Sequence, residues 1–182
     1  IRALRERPWK RKAPDFAAAA RIAEALRATG ITVLQNTGVR ISLGQHSLWI
    51  GGVDSQLAGQ ANVVAALAGR SPDEPAIALI HEPDLAFATA AAGADLILAG
   101  HTHGGQVRLP LIGTPVTHCA ARRVRPAGFQ SIGPSLLFVT TGMGHTTPLR
   151  FGCSPELTWF SIRPGPTVSA PRVETNVCEP IR

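Results

Sequence analysis

The sequence predicts an α/β fold built on parallel strands, and two observations carry that reading. Ala76-Ile77-Ala78-Leu79-Ile80 and Ala94-Asp95-Leu96-Ile97-Leu98-Ala99 are short apolar runs of the kind that form buried strands. Between them, Pro83 to Gly93 is small and Ala-rich and opens with Glu82-Pro83-Asp84, a helix-start pattern. Strand, helix, strand in this length is a βαβ unit, and such a unit lays its two strands parallel. With 45% hydrophobic and 16% charged residues, the 182-residue chain can bury a core and is not of disordered composition.

The remaining elements follow in order. Residues 1–14 carry Arg2, Arg5, Arg7, Lys10, Arg11 and Lys12 and read as a basic, solvated tail. Asp15 to Thr29 is the clearest helix: Pro14 and Asp15 start it, Phe16, Ala20, Ala23 and Leu26 share a face, and Gly30 closes it. Ile31-Thr32-Val33-Leu34 is expected as a strand. Val39 to Leu43 and Ser47 to Val53 form a hairpin turning at Gly44-Gln45-His46, where His46 is exposed and inert. Asp54 is expected in a loop or capping the helix Ala61 to Ala68.

After the βαβ unit, Gln106 to Leu109 reads as a short strand. Pro110 to Pro134 has no clear period and reads as one long loop that contains His118. Leu136 to Thr140 is a strand, followed by the turn Gly142-Met143-Gly144-His145, and Leu157 to Ile162 is a last strand. Residues 164–182 are Pro-rich and polar and read as a tail.

Chemistry concentrates at Gly100-His101-Thr102-His103-Gly104-Gly105, which follows a strand. Glycine permits a sharp turn there. In an extended segment i and i+2 point the same way, so His101 and His103 are expected to face one pocket. His81 ends the neighbouring apolar run. The carboxyl ends of parallel strands are where open α/β sheets place their sites, so His81 and His101 are expected at one edge. Neutral imidazole is the commonest protein metal ligand.

Composition narrows the function classes. The formal charge of +6 and pI near 10.5 suit an anionic partner. The chain has no Tyr and 5% aromatics, which disfavours a nucleic-acid platform. Cys119, Cys153 and Cys178 make neither a disulfide framework nor a Cys-x-x-Cys site, which favours a reducing compartment. The sequence shows no signal peptide and no transmembrane run, so the expected location is the cytoplasm or the membrane periphery.

Gly100 to Pro110 resembles the C-terminal signature of the calcineurin-like metallophosphoesterases. The Gly-Gly-Gln after its second histidine is similar to the bacterial phosphodiesterase branch that includes membrane-associated and lipid-precursor hydrolases. Leu34-Gln35-Asn36, Gly52-Val53-Asp54, His81-Glu82-Pro83-Asp84 and Pro148-Leu149-Arg150-Phe151-Gly152 agree with it in order, so the resemblance covers residues 15–163. It implies two packed mixed β-sheets flanked by helices and two divalent ions (Mn, Fe or Zn). It implies hydrolysis of phosphomonoester or phosphodiester bonds by a water held between the metals, with no side chain identifiable as catalytic.

By resemblance, His81 and His101 belong to one metal and His103 to the other, with His145 and Arg150 as substrate-side candidates. The substrate class is a phosphate ester, with a nucleotide- or lipid-linked diphosphate as the candidate; contact with a membrane surface is expected and nucleic acid is not. The family's Asp-x-His, Gly-Asp and Gly-Asn-His-Asp motifs do not occur. The chain is therefore expected to be the C-terminal part of such a domain, without its N-terminal half. Two alternatives stand beside this: a non-catalytic remnant holding one metal weakly through His81 and His101, and a basic module for nucleic acid or anionic lipid.

Overall fold

The computed structural model describes residues 13–117, 119–121, 123–144 and 149–163. The basic tail, His118, Arg122, His145 and the Pro-rich tail lie outside the described residues. The chain forms two compact units that divide between Val33 and Leu34.

The first unit holds helix α1, Phe16–Ala28. Asp15 caps it by accepting from the Ala18 amide at 2.8 Å. Gly30, at φ +85°, ends it, and the Ile31 amide reaches back to the Leu26 carbonyl.

The second unit is a mixed α/β sheet of six strands with few helices. Its strands are β1 (Thr37–Leu43), β2 (His46–Gly52), β3 (Ala76–Leu79), β4 (Leu96–Ala99), β5 (Gly128–Ile132) and β6 (Ser135–Val139). The spatial order is β1-β2-β3-β4-β6-β5. β2, β3, β4 and β6 run parallel, and β1 and β5 are antiparallel edges. Helix α2 (Val63–Leu67) lies in the crossover from β2 to β3, and α3 (Ala86–Ala91) in that from β3 to β4. The central strands are apolar on both faces, one of them the more deeply buried: Ala78, Ile97 and Leu137 are fully buried, with Trp49, Ala66, Ala86 and Val139 packed in the same core, while Leu96 and Leu98 are half-buried and Leu79 is exposed. Among the described residues this is the one sheet.

Several expectations are corrected. Ile31 to Leu34 is not a strand; Leu34 packs against the Cα of Gly52, so close that a Cβ on Gly52 would strike it. Leu157 to Ile162 forms no ladder, although Phe160 packs edge-on against Phe138 at 5.2 Å between ring centroids. Gln106 to Leu109 is reduced to isolated bridges at Val107 and Leu109. The supposed loop from Pro110 to Pro134 contains β5, paired with β6 across the Gly133 turn. Of the two expectations for Asp54, loop and helix cap, the loop is the one observed: Asn62 caps α2 through the Ala65 amide, and Asp54 Oδ1 accepts from the Ser55 amide.

Candidate metal centre

The site is built where β3 and β4 end. Pairing continues past both strands, with the Ile80 amide donating to Leu98 O at 3.0 Å and the Gly100 amide to His81 O at 3.1 Å. That second bond places His81 beside the residue that precedes His101. His81 Nε2 and His101 Nδ1 lie 3.3 Å apart, with the rings nearly perpendicular. Two nitrogens about 2.0–2.1 Å from one ion at a tetrahedral angle are separated by about 3.3 Å. An N–H···N hydrogen bond between the rings has a similar length, so the pair is satisfied with or without an ion. The expected convergence of these two imidazoles at one sheet edge is observed, by way of the predicted parallel pairing.

The segment carrying His101 and His103 is not extended, which corrects the i/i+2 argument. His101 has φ +66° and His103 φ +50°, and Gln106 has φ +54°. Non-glycine residues rarely hold the left-handed region, at a cost of about 1–3 kcal/mol each, and such strain gathers at functional sites. Surrounding bonds hold the turn. Fully buried Thr102 donates from Oγ1 to Pro126 O at 2.6 Å. Arg108 Nε donates to Gly104 O at 3.1 Å, and Gln106 Nε2 to Leu149 O at 3.0 Å. The Phe151 amide donates to Gln106 O at 2.9 Å. Gly104 has to be glycine: at φ +62°, a Cβ would lie 2.6 Å from Cys153 Sγ.

His103 leaves the turn in another direction, with Nδ1 3.1 Å from Gly144 O. The group able to share one ion consists of His81, Glu82 and His101, whose ligand atoms lie within 4.8 Å of one another. By sequence Glu82 is part of a helix-start pattern, and its position beside His81 is the one signal of a further role. It is 1% exposed and accepts from Ser55 Oγ at 2.6 Å and from the Gln56 and Leu57 amides. Burial pushes its pKa up, but the bonds from Ser55 and these amides hold it below the ordinary carboxylate value. Desolvation, ahead of repulsion from His101 and His103, lowers the His81 pKa against the opposing pull of Glu82. His81 thus stays neutral, the ligating form, further into acid.

Arg150 turns its guanidinium onto main-chain carbonyls of 141–144 and 153–154. Asp84 Oδ1 accepts from the Ala121 amide at 2.6 Å and so pins the following loop. His46 stands exposed in the β1–β2 hairpin, away from the site's strand ends. A cavity of about 490 Å³ opens between Thr114 and Pro126, beside Arg123 and Arg125, and none of the three histidines lines it.

A parallel sheet that converges two imidazoles and a carboxylate at its carboxyl edge could hold a metal ion there. Relatives place the chain more closely. It is 34% identical over 149 residues to phosphodiesterase YaeI of Escherichia coli, covering 78% of this chain and 51% of that protein. It is 35% identical over 140 residues to the uncharacterized metallophosphoesterase YkuE of Bacillus subtilis, covering 76% and 49%. To a Bos taurus transmembrane protein with a metallophosphoesterase domain it is 32% identical over 163 residues, covering 78% and 34%. The chain belongs to the metallophosphoesterase family. It spans about half the length of the first two of these relatives. No family model matches the sequence, and no solved structure matches the chain. No helix among the described residues is long and apolar enough to cross a membrane.

Proposed function

We propose that this chain supplies part of a dinuclear metal site that hydrolyses phosphate esters, His81 and His101 holding one ion and His103 the other. The observation that carries the reading is the 3.3 Å approach of His81 Nε2 to His101 Nδ1 at neighbouring parallel strand ends. The donor set fits a borderline divalent ion such as Zn, Mn or Fe, for which imidazole and carboxylate are suitable ligands. When bound, two such ions activate a water and neutralise charge on the phosphoryl oxygens. The protein's own part is to hold its rings in place beforehand: the strained turn fixes His101, and the low pKa of His81 keeps its lone pair free.

The proposed substrate is a phosphodiester or a nucleotide- or lipid-linked diphosphate. A lipid-linked form at a membrane surface is supported by Leu111, Ile112 and Val116, which stand exposed in the loop following the turn.

A single-ion reading is favoured by the His81, Glu82 and His101 cluster alone. Against it, both Glu82 oxygens are already engaged, Oε1 by Ser55 and Leu57 and Oε2 by Gln56.

The test is turnover of bis-p-nitrophenyl phosphate with Mn²⁺. Three imidazoles and one engaged carboxylate are too few donors for two ions, so residues 1–182 alone should show no turnover above a metal-free control. The chain joined to the N-terminal half of a family relative should turn over, and His103→Ala should abolish that activity. Metal-dependent turnover by the 182-residue chain alone, lost on His103→Ala, would mean its ligand set is larger than assigned. One Mn²⁺ per joined chain, indifferent to His103→Ala, would establish the single-ion reading instead.

A further inference from the structure

Arg150 is placed as no surface arginine needs to be. Its Nη2 donates to Thr141 O at 2.9 Å, to Gly142 O at 3.1 Å and to Gly144 O, while Nη1 faces Ser154 O at 3.4 Å. The turn it grips is stitched from the other side by Glu156, whose Oε2 accepts from the Thr141 amide and hydroxyl, both at 3.1 Å. One of the gripped carbonyls, Gly144 O, is also the partner of His103 Nδ1 at 3.1 Å. A carbonyl only accepts, so the ring nitrogen facing it must carry the proton.

The geometry points to Arg150 as a positioning residue for His103: by fixing and polarising Gly144 O, it holds His103 as the Nδ1–H tautomer and leaves the Nε2 lone pair as the ligand atom. A second partner on the far ring nitrogen is how proteins set the tautomer and orientation of a ligating histidine. Lysine would not replace it, because a single ammonium cannot span several carbonyls as a planar fork does. The tautomer assignment rests on the bond between His103 Nδ1 and Gly144 O alone. Its consequence for metal affinity rests on the function proposed above.

The test is ¹⁵N NMR of the imidazoles in the full, metal-free chain, in alkaline buffer where histidines are neutral. His103 should show a protonated Nδ1 and an unprotonated Nε2, and in mildly acid buffer, where base-catalysed exchange is slow, the Arg150 guanidinium protons should exchange with water more slowly than those of exposed arginines. Arg150→Met should shift His103 towards the Nε2–H tautomer, leave the His81 and His101 signals in place, and weaken Mn²⁺ binding by the chain joined to a relative's N-terminal half about 10- to 100-fold by calorimetry. Arg150→Lys should recover less than half of that loss. An Nε2–H form in the wild-type chain, or fast exchange at Arg150, would overturn the assignment even if the variants fail to fold. A joined chain that binds no Mn²⁺ but keeps the Nδ1–H form would sink the metal reading and leave the positioning intact. Mn²⁺ binding with the opposite tautomer would do the reverse.

Discussion

The two ends of the same parallel strands are built on opposite terms. At the amino end, main-chain groups find ordinary partners: the Ala76 amide donates to Asp95 Oδ2 at 2.8 Å, the Trp49 amide to Pro75 O at 2.9 Å, and Ser135 Oγ to Ala94 O at 2.6 Å. Arg40 meets the buried Glu74 carboxylate with two bonds, at 2.7 and 3.0 Å, and lies over the Trp49 ring. At the carboxyl end, His101, His103 and Gln106 hold positive φ, and His81 stays exposed. Asn36, also at positive φ, stands where β1 pairs with the end of β2. Strained backbone persists where its surroundings over-determine it, so the well-bonded amino edge and the packed sheet can hold the strained carboxyl edge in place.

Three measurements probe that asymmetry. The largest effect is expected at the carboxyl edge. In the chain joined to a relative's N-terminal half, His81→Ala or His101→Ala should remove the tighter calorimetric Mn²⁺ binding while barely moving the melting temperature, whereas His46→Ala should leave binding unchanged. Equal losses for His46 and His81 would mean the site lies elsewhere.

Gly69→Ala, at the amino edge, should do the opposite. Its Cβ would run into the Trp49 indole, costing about 1–3 kcal/mol in urea unfolding. Mn²⁺ affinity should not change; a large loss would show that the two ends are coupled.

The smallest effect is confined to acid. The Arg40 bond first, then that from Ser47, lowers the Glu74 pKa from 4.5 to about 2. A depressed carboxylate stabilises the fold at pH values above its unfolded pKa, and that contribution disappears as pH falls through about 2. Unfolding followed from pH 5 downward should therefore show an acid limb that Arg40→Met flattens. An unchanged limb would remove this pair from the account of the amino edge.

Much of the edge architecture was legible because β3 and β4 are short apolar runs separated by Pro83 and Gly93, which leave few alternatives to a parallel pair. The convergence of His81 and His101 follows from that pairing. Other features depend on partners that a local pattern does not reveal. β5 hides in a Pro- and Gly-rich stretch and exists because β6 offers it an edge. Leu157 to Ile162 has strand composition but no strand beside it among the described residues. The turn at His101 reads as extended by alternation, yet bonds from Thr102, Arg108 and Gln106 drive it left-handed. Glu82 looked like a helix-start residue, and only the fold shows its carboxylate buried against Ser55.

Asn36 has a consequence for how the chain tolerates extra length. Its Oδ1 accepts from the Asp54 and Asn62 amides, at 3.0 and 2.9 Å, and its Nδ2 donates to Gln60 O at 2.7 Å. One amide thus clasps both ends of the 54–62 loop, while Glu82 holds only its first residues, Ser55 to Leu57. The tip at Gly59 is bound by neither. Closing a loop twice as long costs only about 0.6 kcal/mol more, so a peptide epitope or spectroscopic label grafted at Gly59 would be borne by the clasp without disturbing the strands on either side.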